Sequence, residues 1–476
     1  MITIDNRPRK HRFLARRADS GVRMRSALVG ALATAALASA PALAQLQQEN
    51  QNVPTGEGVT GTPDINLRSV PGQSPARNVQ RAQQPVASQQ GFEVGSFLLY
   101  PEITLSGFYD SNVYYTSANR ISDYAAIISP ALWLQSNWRE HALNFSAGAD
   151  LTRYRDQTIE NTDDWRLSAE GRYDFDFDTN VYGGARTFQS HEDRESPDAR
   201  NGLKPTVYTG QRYYGGVFRQ QGPWSVRVGG TALRLNYDDV MFETSAGATA
   251  IINNDDRDRW QYTGGVRVGY ELTPRIEPFA QIALDNRRYT YVPDDLGYDK
   301  DSSGYRALAG VRLNYPDVLK LDAFAGWLKQ RYSDPAFADV SEPAFGAALL
   351  WRISERATLN AYLDRTVEET TVLQVSPTGT VTPASSFLNT YFGATLGYRF
   401  TDRWLGTLEG SYSRATYEGI DRVDNYKGGG GGVTYRAAKM LYLQLLYQYR
   451  GLDSDIPGEN YHKNLVFFNV GIPFSR

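Results

Sequence analysis

The chain has 476 residues, of which 41% are hydrophobic, 12% aromatic and 22% charged, and it contains no cysteine. This aromatic content excludes a chain that is disordered throughout, and the lack of cysteine excludes disulfides, thiolate metal sites and cysteine nucleophiles. Fifty basic residues against 53 acidic ones give a net charge of −3, which argues against a dedicated nucleic-acid binder. Beyond the N-terminal leader there is no apolar run of about 18 residues, so no second membrane-spanning helix is predicted.

The N-terminal segment, residues 1–44, has the parts of an export signal. Basic residues precede an apolar stretch over residues 27–40, and small residues follow at the positions that signal peptidase reads. The predicted cleavage site is formed by Ala42, Ala44 and Gln45. We predict a signal peptide and secretory export into a Gram-negative envelope, with translation starting at Met1 or at Met24.

Residues 45–91 differ in composition from the rest of the chain. They are rich in Gln, Asn, Pro, Ser and Gly and contain hardly any aromatic residues. Such a segment buries too little apolar surface to offset the entropy lost on ordering. We predict a disordered periplasmic tail, followed by a single β-domain over residues 92–476.

From residue 97 to residue 474, apolar and polar residues alternate in segments of about ten to fourteen. The clearest apolar set is Trp165, Leu167, Ala169, Gly171, Tyr173 and Phe175. A period of two indicates β-strands, and these segments are long enough for the roughly 9 to 11 tilted residues that cross a bilayer. Strands of soluble sandwiches are about half as long. Because aromatic residues also concentrate at segment ends, the pattern favours a transmembrane antiparallel β-barrel over a soluble all-β protein.

The breaks between the segments alternate between short and long. The short polar breaks lie at 136–140, 176–180, 220–223, 273–275, 315–317, 354–356, 401–403 and 436–439. The long breaks lie near 110–123, 155–163, 190–207, 237–257, 292–303, 333–342, 373–386, 418–425 and 452–462, and we predict that they face outward. With both termini on one side, this order predicts about 18 strands, with 16 as the alternative.

The last predicted strand ends in an alternating apolar set that is nearly terminal. Its members are Val466, Phe468, Val470, Ile472 and Phe474. Such an ending resembles the strand that the outer-membrane barrel assembly machinery reads, although two further residues follow the final aromatic ring here.

If the apolar face meets lipid, the polar face lines the interior, and an 18-stranded barrel is wide enough for an aqueous channel. The arginines assigned to the lumen are Arg166, Arg172, Arg186, Arg227, Arg267, Arg287, Arg306, Arg312, Arg399 and Arg450. The acidic residues assigned to it include Asp150, Glu170, Asp174, Glu277, Asp285, Asp322, Asp364 and Glu409. Arginine binds carboxylates bidentately, so an open cluster would select anions. The alternative is that these arginines pair with acids across strands and have a structural role.

Candidate catalytic residues are few. Beyond the leader, the only imidazoles are those of His141, His191 and His462, and no serine forms a compelling pair with them. The acidic stretches 253–258 and 294–301 carry oxygen ligands, but their spacing misses the calcium-loop pattern. We therefore predict no enzyme activity, no cofactor and no metal site.

The segment from Gly107 to Tyr114, GFYDSNVY, ends the first predicted strand. It resembles the start of the putative beta-barrel porin 2 family, in which an aromatic residue, Asp, a small or acidic residue, Asn and an aliphatic residue follow a Gln-rich stretch. The resemblance implies an outer-membrane β-barrel without catalytic residues. It also implies polysaccharide export, because members are similar to proteins encoded beside exopolysaccharide synthesis genes. Locally, Asp110 and Asn112 are predicted to bond neighbouring backbone and close a turn.

These observations predict a passive conduit for export of an exopolysaccharide or for passage of hydrophilic solutes. The alternatives are a plugged barrel that acts as an adhesin or assembly scaffold, and a lipid-modifying outer-membrane enzyme. The expected partners are outer-membrane lipid, lipopolysaccharide, the barrel assembly machinery and periplasmic polysaccharide-export proteins that contact residues 45–91. Nucleic acid is not expected.

Overall fold

The computed structural model describes residues 91–198, 202–243, 247–376 and 381–474. The predicted signal peptide, its cleavage site and nearly all of the predicted tail lie outside these ranges. Within them, no helix has the length and apolar character needed to cross a membrane.

The described part of the chain forms 18 long strands, named β1 to β18 in chain order. They are β1 (Phe97–Asp110), β2 (Asp123–Ser136), β3 (Ala142–Tyr154), β4 (Thr162–Asp174), β5 (Thr179–His191), β6 (Val207–Gln221), β7 (Trp224–Tyr237), β8 (Arg259–Tyr270), β9 (Ile276–Tyr289), β10 (Ser302–Tyr315), β11 (Leu319–Tyr332), β12 (Val340–Arg352), β13 (Ala357–Glu369), β14 (Ser386–Arg399), β15 (Trp404–Glu418), β16 (Val423–Ala438), β17 (Leu441–Ser454) and β18 (Tyr461–Pro473).

Each long strand pairs antiparallel with its neighbours in chain order, and the first strand closes the sheet against the last. The closing ladder between β1 and β18 runs from Glu102 opposite Pro473 to Asp110 opposite Leu465. The prediction of an all-β antiparallel barrel of 18 strands is confirmed, and the 16-strand alternative is wrong.

Short turns join the strands at one end of the barrel and longer loops join them at the other. The chain enters β1 and leaves β18 at the short-turn end, which is the periplasmic end in barrels of this kind. A short strand, Phe92–Val94, pairs with the start of β1 there. Within the described ranges, the outer loops contain two 3-10 turns and two small hairpins. These are Thr158–Glu160, Asp255–Arg257, Val240–Glu243 with Thr249–Ile252, and Leu373–Val375 with Val381–Pro383.

The outer end of the closing seam is fixed by the GFYDSNVY segment. The Asp110 carboxylate accepts a hydrogen bond from the backbone N–H of Asn112 at 2.9 Å, as predicted, and pairs with the Lys463 ammonium of β18 at 2.7 Å. The Asn112 side-chain amide donates to the carbonyl oxygens of Thr116 at 2.8 Å and His462 at 3.2 Å. This segment therefore ties the first strand to the last where the barrel closes.

The two faces of the wall differ as the alternation predicts. On β4 the apolar set points outward, with Leu167 and Tyr173 each about half exposed. Charged residues such as Arg267 and Asp364 are buried on the inner face. The last strand follows the same rule, because Val466 and Phe468 are exposed while Phe467 and Asn469 between and beyond them are buried. Recognition of this strand by the assembly machinery stays a prediction.

A charge placed on the outward face should destabilise the barrel more than the same charge on the inner face. Phe392 is 46% exposed near the middle of β14, and Ser411 faces inward at the same height, opposite Gly393. We expect Phe392→Arg to lower the free energy of unfolding from lipid vesicles by about 2–4 kcal/mol, since a guanidinium would lie near the bilayer centre. Ser411→Arg should cost about 1 kcal/mol or less. Equal losses would contradict the assignment of the faces.

Candidate functional site: the lumen and its inserted segment

Many of the predicted lumen arginines form ion pairs with acids on the same or neighbouring strands. On β3 and β4, Arg166 pairs with Asp150 at 2.9 Å, and Arg172 pairs with Asp174 at 2.9 Å. Both pairs lie on the inner face, where lipid does not reach them, so they neutralise charge within the wall.

Pairs of the same kind continue on the wall from β8 to β13. Arg267 bonds Asp322 at 2.7 Å, Arg312 bonds Glu277 at 2.9 Å, and Arg306 bonds Asp364 at 2.9 Å. Arg287 contacts the carboxylates of Asp285, at 2.8 Å, and Glu369. With the two arginines of β4, six of the ten predicted lumen arginines pair with carboxylates, as the structural alternative predicts.

The remaining predicted residues have other surroundings. Arg450 donates to the Tyr115 hydroxyl at 3.3 Å, while Glu170 and Glu409 accept hydrogen bonds from neighbouring side chains. Arg399 is the last residue of β14, has the same parity as the inward residues of that strand, and is exposed at the periplasmic end. Its assignment to the lumen stays a prediction.

Arg186 and Arg227 each lie directly opposite another arginine. Arg186 of β5 is registered with Arg212 of β6, and Arg227 of β7 is registered with Arg267 of β8. Arg227 is 5% exposed and its guanidinium lies 4.8 Å from the centre of the Phe218 ring.

The long connection between β5 and β6 is the most unusual part of the outer end. Its residues Glu192–Asp198, which we call the inserted segment, are largely buried, and Glu192 and Glu195 are completely so. The prediction that the 190–207 break faces outward is therefore wrong for this part. Burying charged side chains is costly unless each is paired. Here Glu192, Arg194, Glu195 and Asp198 each have a partner in another part of the barrel, and these contacts offset the cost of removing the charges from water.

Two bidentate ion pairs anchor the start of the inserted segment. The Glu192 carboxylate accepts hydrogen bonds from the Arg257 guanidinium, with one N···O distance of 2.7 Å. Arg194 donates to both carboxylate oxygens of Glu160, at 3.0 and 2.5 Å. Arg257 follows β7 and Glu160 precedes β4, so the two pairs reach different parts of the wall. Burial alone would lower the pKa of Arg257, but the Glu192 carboxylate raises it overall.

Two further contacts extend from the same segment to other strands. The Tyr461 hydroxyl of β18 donates to Glu195 at 2.5 Å. The Asp198 carboxylate accepts bonds from the Thr370 hydroxyl at 3.0 Å and from the backbone N–H of Thr371 at 2.8 Å, just after β13. The inserted segment thus contacts three other outer loops and the start of β18, and it narrows the outer mouth of the barrel.

Sequence reasoning missed the inserted segment and its partners. A signal was present, because residues 191–195 read His-Glu-Asp-Arg-Glu, a run of four consecutive charged residues that an ordinary solvated loop does not need. The partners Glu160 and Arg257 lie in other loops, and only the closed barrel brings them within reach of this run.

The three candidate catalytic imidazoles are those of His141, His191 and His462, and their contacts in the described part of the chain do not form a catalytic pair. His141 stacks on Tyr173 at 4.2 Å, and His462 contacts the Arg120 guanidinium. His191 ends β5, is buried and bonds the Asp164 carboxylate at 2.9 Å, so its assignment to an outward loop is wrong. In the described part of the chain, no serine or threonine hydroxyl is hydrogen-bonded to these rings.

The acidic stretches of the outer loops bind each other. Asp295 accepts a hydrogen bond from the Asn253 amide at 2.8 Å and donates its backbone N–H to Asp256 at 3.2 Å. Burial raises the pKa of the Asp256 carboxyl to about 6. Asp294 pairs with Lys300 at 2.8 Å. Within the described ranges, no group of three or more His, Asp or Glu side chains is arranged to hold a metal ion.

Comparison with known families supports the outer-membrane reading of this geometry. The family model described as putative beta-barrel porin 2 matches residues 84–474. The chain belongs to this family. It is an outer-membrane, porin-like β-barrel, and the resemblance first noted at residues 107–114 is confirmed. No curated protein matches it.

Solved barrels are similar to this porin 2 barrel at low sequence identity. Pseudomonas aeruginosa OccK3 (OpdO) is 15% identical with a TM-score of 0.41, covering 79% of this chain and 96% of its own. A mutant of the P. aeruginosa ferric enterobactin receptor PfeA is 8% identical with a TM-score of 0.41, covering 81% of each chain. Acinetobacter baumannii PiuA, a siderophore receptor, is 9% identical with a TM-score of 0.40, covering 81% and 82%. Because these scores are low, the assignment depends on the family match.

Breaking one anchor should release the inserted segment of the porin 2 barrel while the wall stays folded. Arg257→Ala leaves the Glu192 carboxylate buried without its cation, so the local free energy of opening should fall by about 3–5 kcal/mol. Hydrogen exchange of residues 192–198 measures this change.

The matched control is Arg153→Ala at the same end of the barrel. Arg153 pairs with Asp163 at 2.6 Å, but both side chains are about half exposed, so we expect a change of about 1 kcal/mol or less. Unchanged protection of the segment in Arg257→Ala would contradict its anchoring role.

Proposed function

We propose that this barrel is a passive conduit that exports an exopolysaccharide across the outer membrane. The observation that carries the proposal is the closed 18-stranded wall with a polar and charged inner face from its periplasmic end to its outer end. Such a wall is wide enough for an aqueous path and offers hydrogen bonds to a hydrated polymer along its length. A passive conduit needs its driving force from the periplasmic side.

The location and partners of the mature chain are part of this proposal. Secretory export with cleavage after Ala44 would deliver the barrel to the assembly machinery, which would read the β18 ending. Lipid and lipopolysaccharide would cover the outward face. Residues 45–91 precede the strand Phe92–Val94 at the periplasmic end, where polysaccharide-export proteins of the periplasm would meet them.

A second function is favoured by one specific observation, the inserted segment. Its four contacts narrow the outer mouth, as expected of a plugged barrel that serves as an adhesin or assembly scaffold. In the conduit proposal the same segment is a constriction that a polymer displaces. The two functions therefore differ in whether the lumen conducts.

Planar-bilayer recording distinguishes the conduit from the scaffold. The refolded mature protein, residues 45–476, should carry a steady ionic current, and Arg257→Ala should carry a larger one because the inserted segment is released. Neutral maltooligosaccharides should interrupt the current as they enter. Recording the same barrel without residues 45–91 shows whether the tail changes the current. Absence of current in both the native barrel and Arg257→Ala would reject the conduit and favour the scaffold.

A further inference from the structure

Four consecutive strands, β5 to β8, contain seven arginines and no aspartate or glutamate. Five of these arginines point into the lumen, and we call them the arginine wall: Arg186, Arg212, Arg227, Arg259 and Arg267. The other two, Arg219 and Arg234, are exposed on the outward face. Four of the eighteen strands of the barrel therefore present cations without any carboxylate of their own.

The register of the arginine wall places like charges side by side. Arg186 is directly opposite Arg212, and Arg227 is directly opposite Arg267. Like charges directly opposite each other on neighbouring strands destabilise a sheet, so these two pairs work against the stability of the barrel, although Asp322 offsets part of the charge at Arg267. An anion that bridges the guanidinium groups would remove this repulsion.

Several nitrogen atoms of the arginine wall are buried without a hydrogen-bond partner among the described residues. They include Nε and Nη1 of Arg227, which is 5% exposed, and Nε and Nη2 of Arg259, which is 2% exposed. Buried donors in proteins are nearly always bonded, so these atoms point to a partner other than the described residues.

Aromatic rings orient two of these guanidinium groups. Arg227 lies 4.8 Å from the centre of the Phe218 ring, and Arg267 lies 3.4 Å from that of Phe279. Stacking of this kind occupies one face of the guanidinium and leaves its edge, which carries the N–H donors, for a planar anion. At Arg267 one of these donors already bonds Asp322, whereas Nε and Nη1 of Arg227 have no partner among the described residues. Carboxylate matches that edge bidentately.

The opposite side of the barrel has different chemistry. In a closed barrel of 18 strands, β14 to β17 lie directly across from β5 to β8. Their inner face carries hydroxyl and amide side chains such as Asn389, Ser413 and Gln444, together with the charged Glu409 and Arg450. The glycines 428, 430 and 432 leave the middle of β16 without inward side chains. This wall suits the hydroxyl groups of a sugar chain.

We propose that the arginine wall is a binding track for carboxylate groups, and that the exported polymer is an acidic polysaccharide rather than a neutral one. The inference rests on the proposed function and adds the substrate class. The acidic groups bind β5 to β8, while the neutral face of the polymer lies along β14 to β17. From Arg259 to Arg267 the track follows β8 for eight residues, or about 26 Å of strand, which spans most of the hydrocarbon thickness.

The test compares an acidic and a neutral oligosaccharide of equal length. Oligogalacturonate and maltooligosaccharide are added to single barrels in planar bilayers, and the concentration that halves the current is measured for each. The native barrel should be blocked by oligogalacturonate at a concentration about tenfold lower. The double variant Arg186→Gln/Arg227→Gln should lose this preference, since about tenfold is the effect of losing one charge-assisted hydrogen bond.

The matched control is Arg219→Gln/Arg234→Gln, which removes the same charge from β6 and β7 on the outward face. Its blockade by both oligosaccharides should equal that of the native barrel. Equal blockade by both sugars in the native barrel, or an unchanged preference in Arg186→Gln/Arg227→Gln, would overturn the acidic-polymer inference while leaving the conduit intact.

Calorimetric binding of the same oligosaccharides to the detergent-solubilised barrel tests the arginine wall without any current. If no current flows, the conduit proposal is rejected, and this measurement still tests whether the arginine wall binds carboxylates. Tighter binding of oligogalacturonate that is weakened about tenfold in Arg186→Gln/Arg227→Gln supports it, whereas equal binding of both sugars overturns it.

Discussion

Every backbone N–H and C=O that enters hydrocarbon must find a partner within the protein, and this constraint decides the architecture. A sheet satisfies it only when its two edges meet, which here happens between β1 and β18 from Glu102 to Asp110. Asp110, Asn112 and Lys463 hold the outer end of that seam. The family motif is thus located where closure depends on it, and this position gives its polar residues a structural reason.

Closure also sorts the side chains. Since alternate residues face lipid and lumen, charged residues such as Arg267 and Asp364 turn inward, where they pair with one another or face a hydrated path. Most of the predicted lumen arginines pair with acids, as Arg306 does with Asp364. The arginine wall differs, because strands β5 to β8 contain no aspartate or glutamate. The inserted segment enters from the same side of the barrel, between β5 and β6, and its own charges are neutralised at the mouth.

The sequence was sufficient for the strands, because a period of two is a local property and each turn is marked by its own residues. The strand count, the two faces and the turn at Asp110 and Asn112 all follow from neighbouring positions. The inserted segment could not be predicted in this way. Its pairs join Glu192 to Arg257 and Asp198 to Thr371, partners that are far apart in the chain and meet only after the barrel has closed. The same holds for pairs such as Arg306 with Asp364, 58 residues apart in sequence.

The central claim, that alternate residues face lipid and water, can be measured directly because the chain contains no cysteine. Single cysteines placed in turn from residue 278 to residue 287 of β9 would be reacted with a water-soluble maleimide in lipid vesicles. Labelling should rise and fall with every residue, high at inward positions such as 281 and low at outward positions such as 282. Uniform labelling along the strand, or a period near 3.6 residues, would contradict the account.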